Sequence, residues 1–486
     1  MSLIIPNLLQ YTGSTIVIDP KGENAWITAA YRRSIGQKVV ILDPWGEVNR
    51  RYGQFADELE TVARFNPFSI LDPASPHYPD DVAYLADALI INQGKDPHWD
   101  DSARELVSGI IAYLIEMPEL RPKASPSLLR QFLSEPPEFL QKVASTARDD
   151  LGAESVAARK LARFSTISRE IESILSTALT QTAMLDSAAL AANMAESDFS
   201  FDDLTTGKAT IYLVLPVDKL QTYGRWLRLM VSIAIRTVAR NDQPLDQPVA
   251  FILDEFGTIG ALRAVSQAYG LMAGMQMVLW VFVQDFVQLR RDYPDDWETF
   301  IGNSEAVTFF GVMDQFTAKY LSEMLGTTTR ERITVATAQL RERGETNAMQ
   351  VNDREFSVPL LRPEQIRGMH SGRGIAIRRE YPMLFERIVY HEQNVFLLRA
   401  RADPRFAGSK EAREKAKAAA HAANLAHLVP TPDAAKQQLE AKGYQAKRAM
   451  LSGKWDVRGP GGQGWNLAND GEFLNWARGE LHGGEG

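Results

Sequence analysis

The stretch VAFILDEFG, residues 249–257, decides the fold of this chain. Its apolar half has the length and composition of a β-strand, and it ends abruptly in Asp254, Glu255 and a turn at Gly257. A short continuous apolar run bounded by turn residues is typical of a strand buried on both faces, as in a parallel sheet. Ligands of such sheets bind at the carboxyl ends of the strands, where both carboxylates would lie.

Apolar residues followed by Asp-Glu also form the second half of the hydrolysis site in P-loop ATPases. In that chemistry Asp254 holds Mg²⁺, usually through water, and Glu255 polarises the attacking water. The alternative is that both carboxylates simply cap the segment that follows. The residues alone leave both interpretations open, because the pattern is common by chance.

Composition excludes several classes of function. The 486 residues are 45% hydrophobic and 23% charged, which is ordinary for a globular protein with two or more domains. The absence of cysteine excludes disulfides, thiolate nucleophiles and cysteine-ligated zinc, and the 7 histidines form no metal-binding pair. With a net charge of −8, any DNA contact requires a local basic surface.

No stretch approaches the roughly 18 apolar residues that span a bilayer, and the amino-terminal residues lack the pattern of a signal peptide. We therefore expect the chain as written to be soluble and cytoplasmic.

Other strand-like runs end in the same way as the first. The run 14–18 leads into Asp19-Pro20-Lys21-Gly22-Glu23, and a helical segment and a second strand, 39–42, follow. Strand, helix and strand at this spacing form a βαβ unit. We therefore predict an α/β fold, with a mostly parallel sheet and helices on both faces.

The run 275–283 is another buried strand, and Gln284 follows it. RecA-like ATPases keep a γ-phosphate sensor at the tip of the strand beside the Asp-Glu strand. The alternative is that Gln284 caps the next helix, and the sequence does not decide between the two.

Changes in pattern divide the chain into four parts. Residues 1–78 are the first part of a nucleotide-binding domain, and 79–200 form an inserted all-α domain, since strand-like runs disappear there. Residues 201–404 continue the first domain, with further strands expected at 209–216, 306–311, 374–378 and 385–390, and a surface excursion at 327–352. Residues 405–486 form a basic tail that we expect to be partly helical or flexible.

Taken together, these motifs resemble the type IV secretion coupling proteins, the TraG/TraD-like conjugative DNA-transfer ATPases. The order and spacing of the matching segments hold from residue 4 to about residue 401, which makes the set specific although each member is short. The segments are IIPNLL (4–9), IVIDPKGE (16–23), FNPF (65–68), WDDSAR (99–104), IYLVLP (211–216), LDEFG (253–257), QD (284–285), QL (288–289), Asn303, PLL (359–361) and PEQI (363–366).

The resemblance implies a RecA-like nucleotide-binding domain with an inserted all-α domain. It also implies a homo-hexameric ring at the cytoplasmic face of the bacterial inner membrane. That ring would use ATP and magnesium to pass single-stranded DNA, with its relaxase and other relaxosome proteins, to the secretion channel and the channel's ATPases.

The resemblance also assigns roles to individual residues. It implies that Asp254 holds magnesium through water and that Glu255 polarises the attacking water. It also implies that Gln284 is the γ-phosphate sensor. It places Asp19, Lys21 and Glu23 along the nucleotide site.

One departure from the family concerns the phosphates. Family members carry transmembrane helices and a Gly-rich phosphate loop just ahead of the IIPN helix, whereas this chain begins inside that helix and contains no Gly-x-x-x-x-Gly-Lys-Ser/Thr. Without the loop there are no backbone N–H groups or lysine to hold the phosphates. We expect a truncated product or fragment that binds ATP very weakly and hydrolyses none by itself. The alternative function is a catalytically inactive substrate-docking module, in which the α insertion and the basic tail bind the substrates.

A second departure concerns the arginine finger. Family members often carry a basic residue on the approach to the Gln284 strand, and residues 273–276 contain none. Arg225, Arg228, Arg290 and Arg291 are the substitutes, although we expect each to be a surface charge. DNA contact itself follows only from the family, since aromatic and basic residues alternate along no stretch.

Overall fold

A computed structural model describes the chain except for residues 1–2, 56–58, 92–96, 167, 259, 261–262, 272–273, 338–348, 380, 403–410, 412–413, 416–417, 419–430, 450–451 and 483–486. The chain divides into two units, residues 1–388 and 389–486.

A five-stranded sheet forms the centre of the first unit, in the order β2-β3-β1-β4-β5 with every neighbouring pair parallel. Strands β1 and β3 are buried along their whole length. Burial on both faces is the reason that such strands are uninterrupted apolar runs rather than alternating patterns. The predicted α/β fold with a mostly parallel sheet is confirmed. The strands are β1 (Thr15–Ile18), β2 (Lys38–Leu42), β3 (Ala209–Leu213), β4 (Val249–Leu253) and β5 (Met277–Val281).

Helices connect these strands and cover the sheet. Helix α1 (Ile4–Leu8) precedes β1, and α2 (Glu23–Ser34) links β1 to β2 as the predicted βαβ unit. Strand β2 is followed by α3 (Glu47–Tyr52), and α12 (Leu220–Ala239) links β3 to β4.

Arg32 of α2 ties these elements together. Its guanidinium is fully buried and donates to the carbonyl oxygens of Leu8 at 3.2 Å and Gly13 at 2.8 Å, and to the hydroxyl of Thr210 at 2.8 Å. It also donates to the carbonyl of Tyr11. The position of α1 on the sheet therefore depends on one buried cation.

Eight helices occupy the described residues between α3 and β3. The stretch 156–195, which has helical spacing throughout, is divided into three helices because a serine begins each one. Ser155, Ser168 and Ser187 each accept a hydrogen bond from a backbone N–H three residues ahead, which is the geometry of an N-cap. The helices are α4 (Tyr78–Leu89), α5 (His98–Glu116), α6 (Pro126–Ser134), α7 (Pro137–Leu151), α8 (Val156–Leu161), α9 (Arg169–Gln181), α10 (Ala188–Asn193) and α11 (Asp203–Thr206).

After β5 the chain leaves the parallel sheet. Strand β6 (Ala306–Phe310) pairs antiparallel with β9 (Arg373–Arg378), which pairs with β10 (Tyr381–Glu386). The last strand thus lies earlier than the predicted 385–390, because a tight turn at Arg379, with a φ of 55°, returns the chain at once. Helix α13 (Arg263–Leu271) lies between β4 and β5, and three helices follow β5: α14 (Phe286–Asp292), α15 (Trp297–Gly302) and α16 (Gln315–Met324).

The predicted surface excursion contains an antiparallel hairpin. Strand β7 (Thr327–Thr337) pairs with β8 (Met349–Pro359), and α17 (Pro363–Arg367) follows.

The second unit contains more regular structure than a flexible tail. Helix α18 (Asn394–Leu397) is followed by a helix at Pro432–Ala441, an antiparallel sheet of β11 (Gln445–Arg448), β12 (Trp455–Arg458) and β13 (Gly464–Leu467), and a helix at Asp470–His482. Trp455 stacks on Phe473 with ring centroids 3.8 Å apart and anchors a small core of its own. Among the described residues, none of the helices is long and apolar enough to cross a membrane.

Candidate functional site

The register of the sheet brings distant carboxylates to one edge. Ile18 pairs with both Leu213 and Leu253, so the residues that follow β1 and β4 emerge at the same level. They border a cleft of about 110 Å³ at the carboxyl edge of the sheet. The cleft is lined by Ile4, Asp19, Pro20, Lys21, Glu23, Asn24, Val217, Asp254 and Glu255.

Asp19 lies at the bottom of this edge and caps α2. One carboxylate oxygen accepts the backbone N–H of Glu23 at 3.1 Å and the other accepts that of Ala25 at 2.8 Å. Burial raises the pKa of Asp19 to about 7, against the opposing effect of the backbone N–H groups of Ala25 and Asn24. Both oxygens are thus engaged, and the geometry favours a structural role over direct contact with a ligand.

Asp254 and Glu255 follow β4 directly, at the carboxyl edge of the sheet. Asp254 Oδ1 accepts the backbone N–H of Glu255 at 3.0 Å. Burial raises the pKa of Asp254, the neighbouring Glu255 charge adds to the increase, and Lys21 opposes it. Glu255 has a φ of 51°, in the left-handed region that a glutamate rarely adopts. Strained backbone of this kind is common where a side chain must be aimed at a site.

Gln284, which follows the neighbouring strand β5, lies beside Glu255. Its side-chain amide donates to Glu255 Oε2 at 3.3 Å, so it does not cap the following helix. Asp285 is the cap, because it accepts the backbone N–H of Gln288 at 2.7 Å.

Gln288 in turn accepts the backbone N–H of Gln284 at 3.0 Å and lies against Gly257. A Cβ at Gly257 would lie 2.2 Å from Gln288 Cδ, which explains the glycine. The structure therefore places Glu255, Gln284 and the Gly257 turn in one connected group.

Lys21 and Glu23 stand on the loop and first turn that lead into α2. Lys21 is exposed, whereas Glu23 is only 3% exposed. Among the described residues no group of three or more His, Asp or Glu could hold a metal by itself. The oxygen ligands of the cleft nevertheless suit Mg²⁺, which commonly takes one or two carboxylates and completes its shell with water and substrate phosphates.

The cleft also contains residues that the sequence did not indicate. Asn24 donates to Asp19 at 3.4 Å, and Ile4 and Val217 form apolar walls. Asn24 could have been predicted to line the cleft, because it follows Glu23 in the first turn of α2. Val217 carried no such signal, because its strand ends in Pro216 rather than an acid.

The structure also tests the four arginines. The prediction of a surface charge is wrong for Arg228, which is 3% exposed and donates to the carbonyl of Asp87 at 3.2 Å. Arg225 donates to the carbonyl of Gln181. Arg290 lies over the ring of Phe316, and Arg291 pairs with its neighbour Asp292. Within the described residues, none of the four lines the cleft.

Known proteins are similar to this chain in sequence and in fold. The chain is 26% identical over 416 residues to the protein VirD4 of Agrobacterium fabrum, covering 82% of this chain and 58% of VirD4. It is 24% identical over 394 residues to the conjugal transfer protein TraG of Escherichia coli, covering 75% of this chain and 59% of TraG. The chain thus spans less than two thirds of the length of these relatives.

Solved structures of the conjugative coupling protein TrwB have a similar fold. The unbound monoclinic form superposes with a TM-score of 0.58 at 14% identity, over 79% of each chain. TrwB with a non-hydrolysable ATP analogue gives 0.57 at 14% identity, over 79% of this chain and 80% of TrwB. At this identity the likeness concerns the fold.

The family described as type IV secretory system conjugative DNA transfer matches residues 1–423. That match covers most of the sequence, and it agrees with the relatives named above and with the parallel sheet and its acidic edge. The chain is therefore a coupling protein of the type IV secretory, conjugative DNA-transfer family.

Proposed function

We propose that this chain carries the hydrolytic half of an ATP-driven DNA-transfer motor. The observation that supports it is the convergence of Asp254, Glu255 and Gln284 at the carboxyl edge of the parallel sheet. TrwB, of similar fold, has been solved with an ATP analogue and with ADP and Mg²⁺. ATP and magnesium are accordingly the ligands we propose for the cleft.

Each residue has a distinct part in this proposal. Asp254 holds Mg²⁺ through water, and the ion would neutralise charge on the phosphates. Glu255 accepts a hydrogen bond from the attacking water and orients it. Gln284, hydrogen-bonded to Glu255 at 3.3 Å, would respond to the terminal phosphate. Lys21 adds the positive charge that this acidic edge needs beside an anionic ligand.

The proposed substrate is single-stranded DNA with its attached relaxase, delivered to the secretion channel and its ATPases by a homo-hexamer. Membership of the family supports this proposal. A DNA path should show binding that weakens steeply with salt, since phosphate contacts release counterions.

The test is ATP hydrolysis, with and without single-stranded DNA, by the 486-residue chain and by the same chain extended at its amino end with a Gly-rich phosphate loop. We expect Glu255→Gln to lower the turnover about 10²–10⁴-fold, the range for a residue that manages a proton or water, while ATP binding persists. The matched control is Glu305→Gln, because Glu305 is an exposed glutamate paired with Arg378 in the other sheet. Wild-type turnover in Glu255→Gln would refute the assignment.

A second candidate is a substrate-docking module without hydrolysis. One observation favours it: residues 389–486 form a unit, which has its own aromatic core. Retention of relaxase together with no ATP turnover, in both the 486-residue chain and its version extended with a phosphate loop, would select this function.

A further inference from the structure

The second unit contains a sheet that its helices cover on one face only, as far as the described residues extend. Side chains of β11, β12 and β13 alternate between the two faces of this sheet. Ala446, Trp455 and Val457 lie on the inner face and share a core with Leu439 and Phe473 of the two helices. The match to the family ends at residue 423, before this sheet begins, so membership of the family assigns no role to the outer face.

The outer face of this sheet is polar, and its positions are exposed. The register places them in two rows that run across the strands: Gln445, Arg458 and Gly464, then Lys447, Asp456 and Asn466. In the part of the chain that the structure describes, none of the five side chains has a hydrogen bond or an ion pair. Arg448, which alternates with Lys447 on β11, is paired instead with Asp470 at 2.7 Å. The polar groups of the outer face are therefore available to a partner.

Charge is divided between the sheet and the helices of this unit. The strand region 445–467 contains four basic residues and one acidic residue, whereas the helices Pro432–Ala441 and Asp470–His482 contain two basic and five acidic residues. One of the four, Lys454, is exposed between β11 and β12. In a chain with a net charge of −8 the outer face is a local basic surface, and the partner that complements it is a polyanion.

The outer face fits one polyanion in particular, duplex DNA of the B form. Arginine, lysine, asparagine and glutamine are side chains that hydrogen-bond base edges in the major groove. Neighbouring strands lie about 4.8 Å apart, so three strands span about 10 Å, and the major groove is about 12 Å wide. None of the six outward positions is aromatic, so the face offers no surface on which unpaired bases stack. The major groove of A-form RNA is too narrow for side chains to read.

We propose that this face enters the major groove of duplex DNA. Arg458 is on the central strand β12, where it meets base edges, and Gly464 beside it leaves room for the guanidinium to reach a guanine. Lys447 is on the outer strand β11, next to a phosphate backbone. The inference does not rest on ATP hydrolysis, because this face and Glu255 belong to different units.

The experiment is fluorescence anisotropy of a labelled, mixed-sequence duplex of about 20 base pairs with the 486-residue chain, in about 0.1 M salt. Lys447→Gln should weaken binding about five- to ten-fold and make the slope of log K against log salt shallower by about 0.9, since one phosphate contact is lost. The control Lys436→Gln removes the same charge from the helix on the inner face, where Lys436 pairs with Glu440, and it should bind as wild type does.

Two further variants separate the proposal from a general loss of folding. Asp456→Asn removes the acidic side chain of the outer face and should tighten binding about three-fold or more, a gain that an unfolded unit cannot give. Wild type should prefer the mixed-sequence duplex to an A·T-only duplex by at least about five-fold, and Arg458→Gln should lose that preference.

Four results would overturn the proposal: equal duplex affinity of Lys447→Gln and Lys436→Gln, no tighter binding by Asp456→Asn, a base preference that is absent or survives Arg458→Gln, or an equal loss of single-stranded DNA binding in Lys447→Gln. None of these measurements involves ATP. Their failure therefore leaves the proposed hydrolysis untouched, and a lack of hydrolysis leaves them untouched.

Discussion

Replacing the buried cap Asp19 by asparagine should change how stability depends on pH. The folded chain holds this carboxyl with a pKa of about 7, against an ordinary value of 3.8. A raised pKa means that the folded state binds the proton more tightly than the unfolded state does. The contribution of Asp19 to the free energy of unfolding is therefore greatest at low pH and falls as the pH rises through the window from about 4 to 7.

The magnitude follows from the two pKa values. Between pH 5 and pH 8 the wild-type chain should lose about 2.5 kcal/mol of unfolding free energy through Asp19. The asparagine of the variant would stay neutral throughout, but its amide NH₂ cannot accept the second N–H of α2, which costs about 1 kcal/mol. The Asp19→Asn variant should thus be less stable than wild type at pH 5 and more stable at pH 8.

Urea unfolding followed by circular dichroism at pH 5, 6, 7 and 8 measures this difference directly. The control is Asp186→Asn, since the hydrogen bonds from Arg130 lower the pKa of exposed Asp186 and leave it ionised across the whole window. Its stability difference from wild type should not vary with pH. Parallel curves for Asp19→Asn and wild type would show that Asp19 is ionised in the fold, and the reasoning would fail.

Three further substitutions test the packing around the cleft, each by urea unfolding. Gly257→Ala should cost about 1 kcal/mol through the steric overlap described above, whereas Gly270→Ala, with open space around its Cβ on a helix, should gain about 1 kcal/mol. Arg32→Met should cost about 3 kcal/mol, because the buried oxygens that accept its hydrogen bonds would lose their donor. Arg169→Met, at an exposed position at the start of α9, should cost no more than about 1 kcal/mol. Glu255→Gly should gain about 1 kcal/mol by relieving the left-handed backbone, and Glu255→Gln should gain nothing.

Each of these expectations can fail on its own. Equal effects of the two glycine substitutions would mean that the turn can shift away from its neighbour. A small loss in Arg32→Met would show that α1 is held by packing rather than by the buried cation. Destabilisation by Glu255→Gly would mean that the glutamate side chain contributes more than its backbone costs.

The sequence predicts the strands of the parallel sheet well, because each is a short apolar run and most of them end in a polar turn. The same rule locates Asp254 and Gln284, since residues after such strands share an edge. It does not distinguish a carboxylate that caps a helix from one that does not: Asp19 and Asp254 look alike in sequence, and only Asp19 accepts hydrogen bonds from the first turn of α2.

The local sequence pattern does not predict which distant strand a given strand pairs with. Strand β6 has the apolar character of a buried parallel strand, yet it pairs with β9, and nothing within 306–311 specifies that partner. The basic composition of residues 405–486 likewise concealed a core that depends on widely spaced aromatics such as Trp455 and Phe473. The composition of a segment does not show where its few aromatic residues stand, whereas the packing of a core depends on the position of each one.

The central position of β1 has a kinetic consequence. Its partners on either side come from far along the chain; Thr15 bonds to Thr210 across 195 residues. Closing loops of that length costs conformational entropy before the new contacts contribute any favourable free energy. Proteins dominated by contacts between distant residues therefore fold slowly. During synthesis, β1 must wait unpaired while the helical segment folds, and the acidic edge can assemble only after β4 has emerged. The helices between α3 and β3 can fold early, because their contacts are local. Their folding would shorten the effective loop that has to close before β1 and β3 can pair.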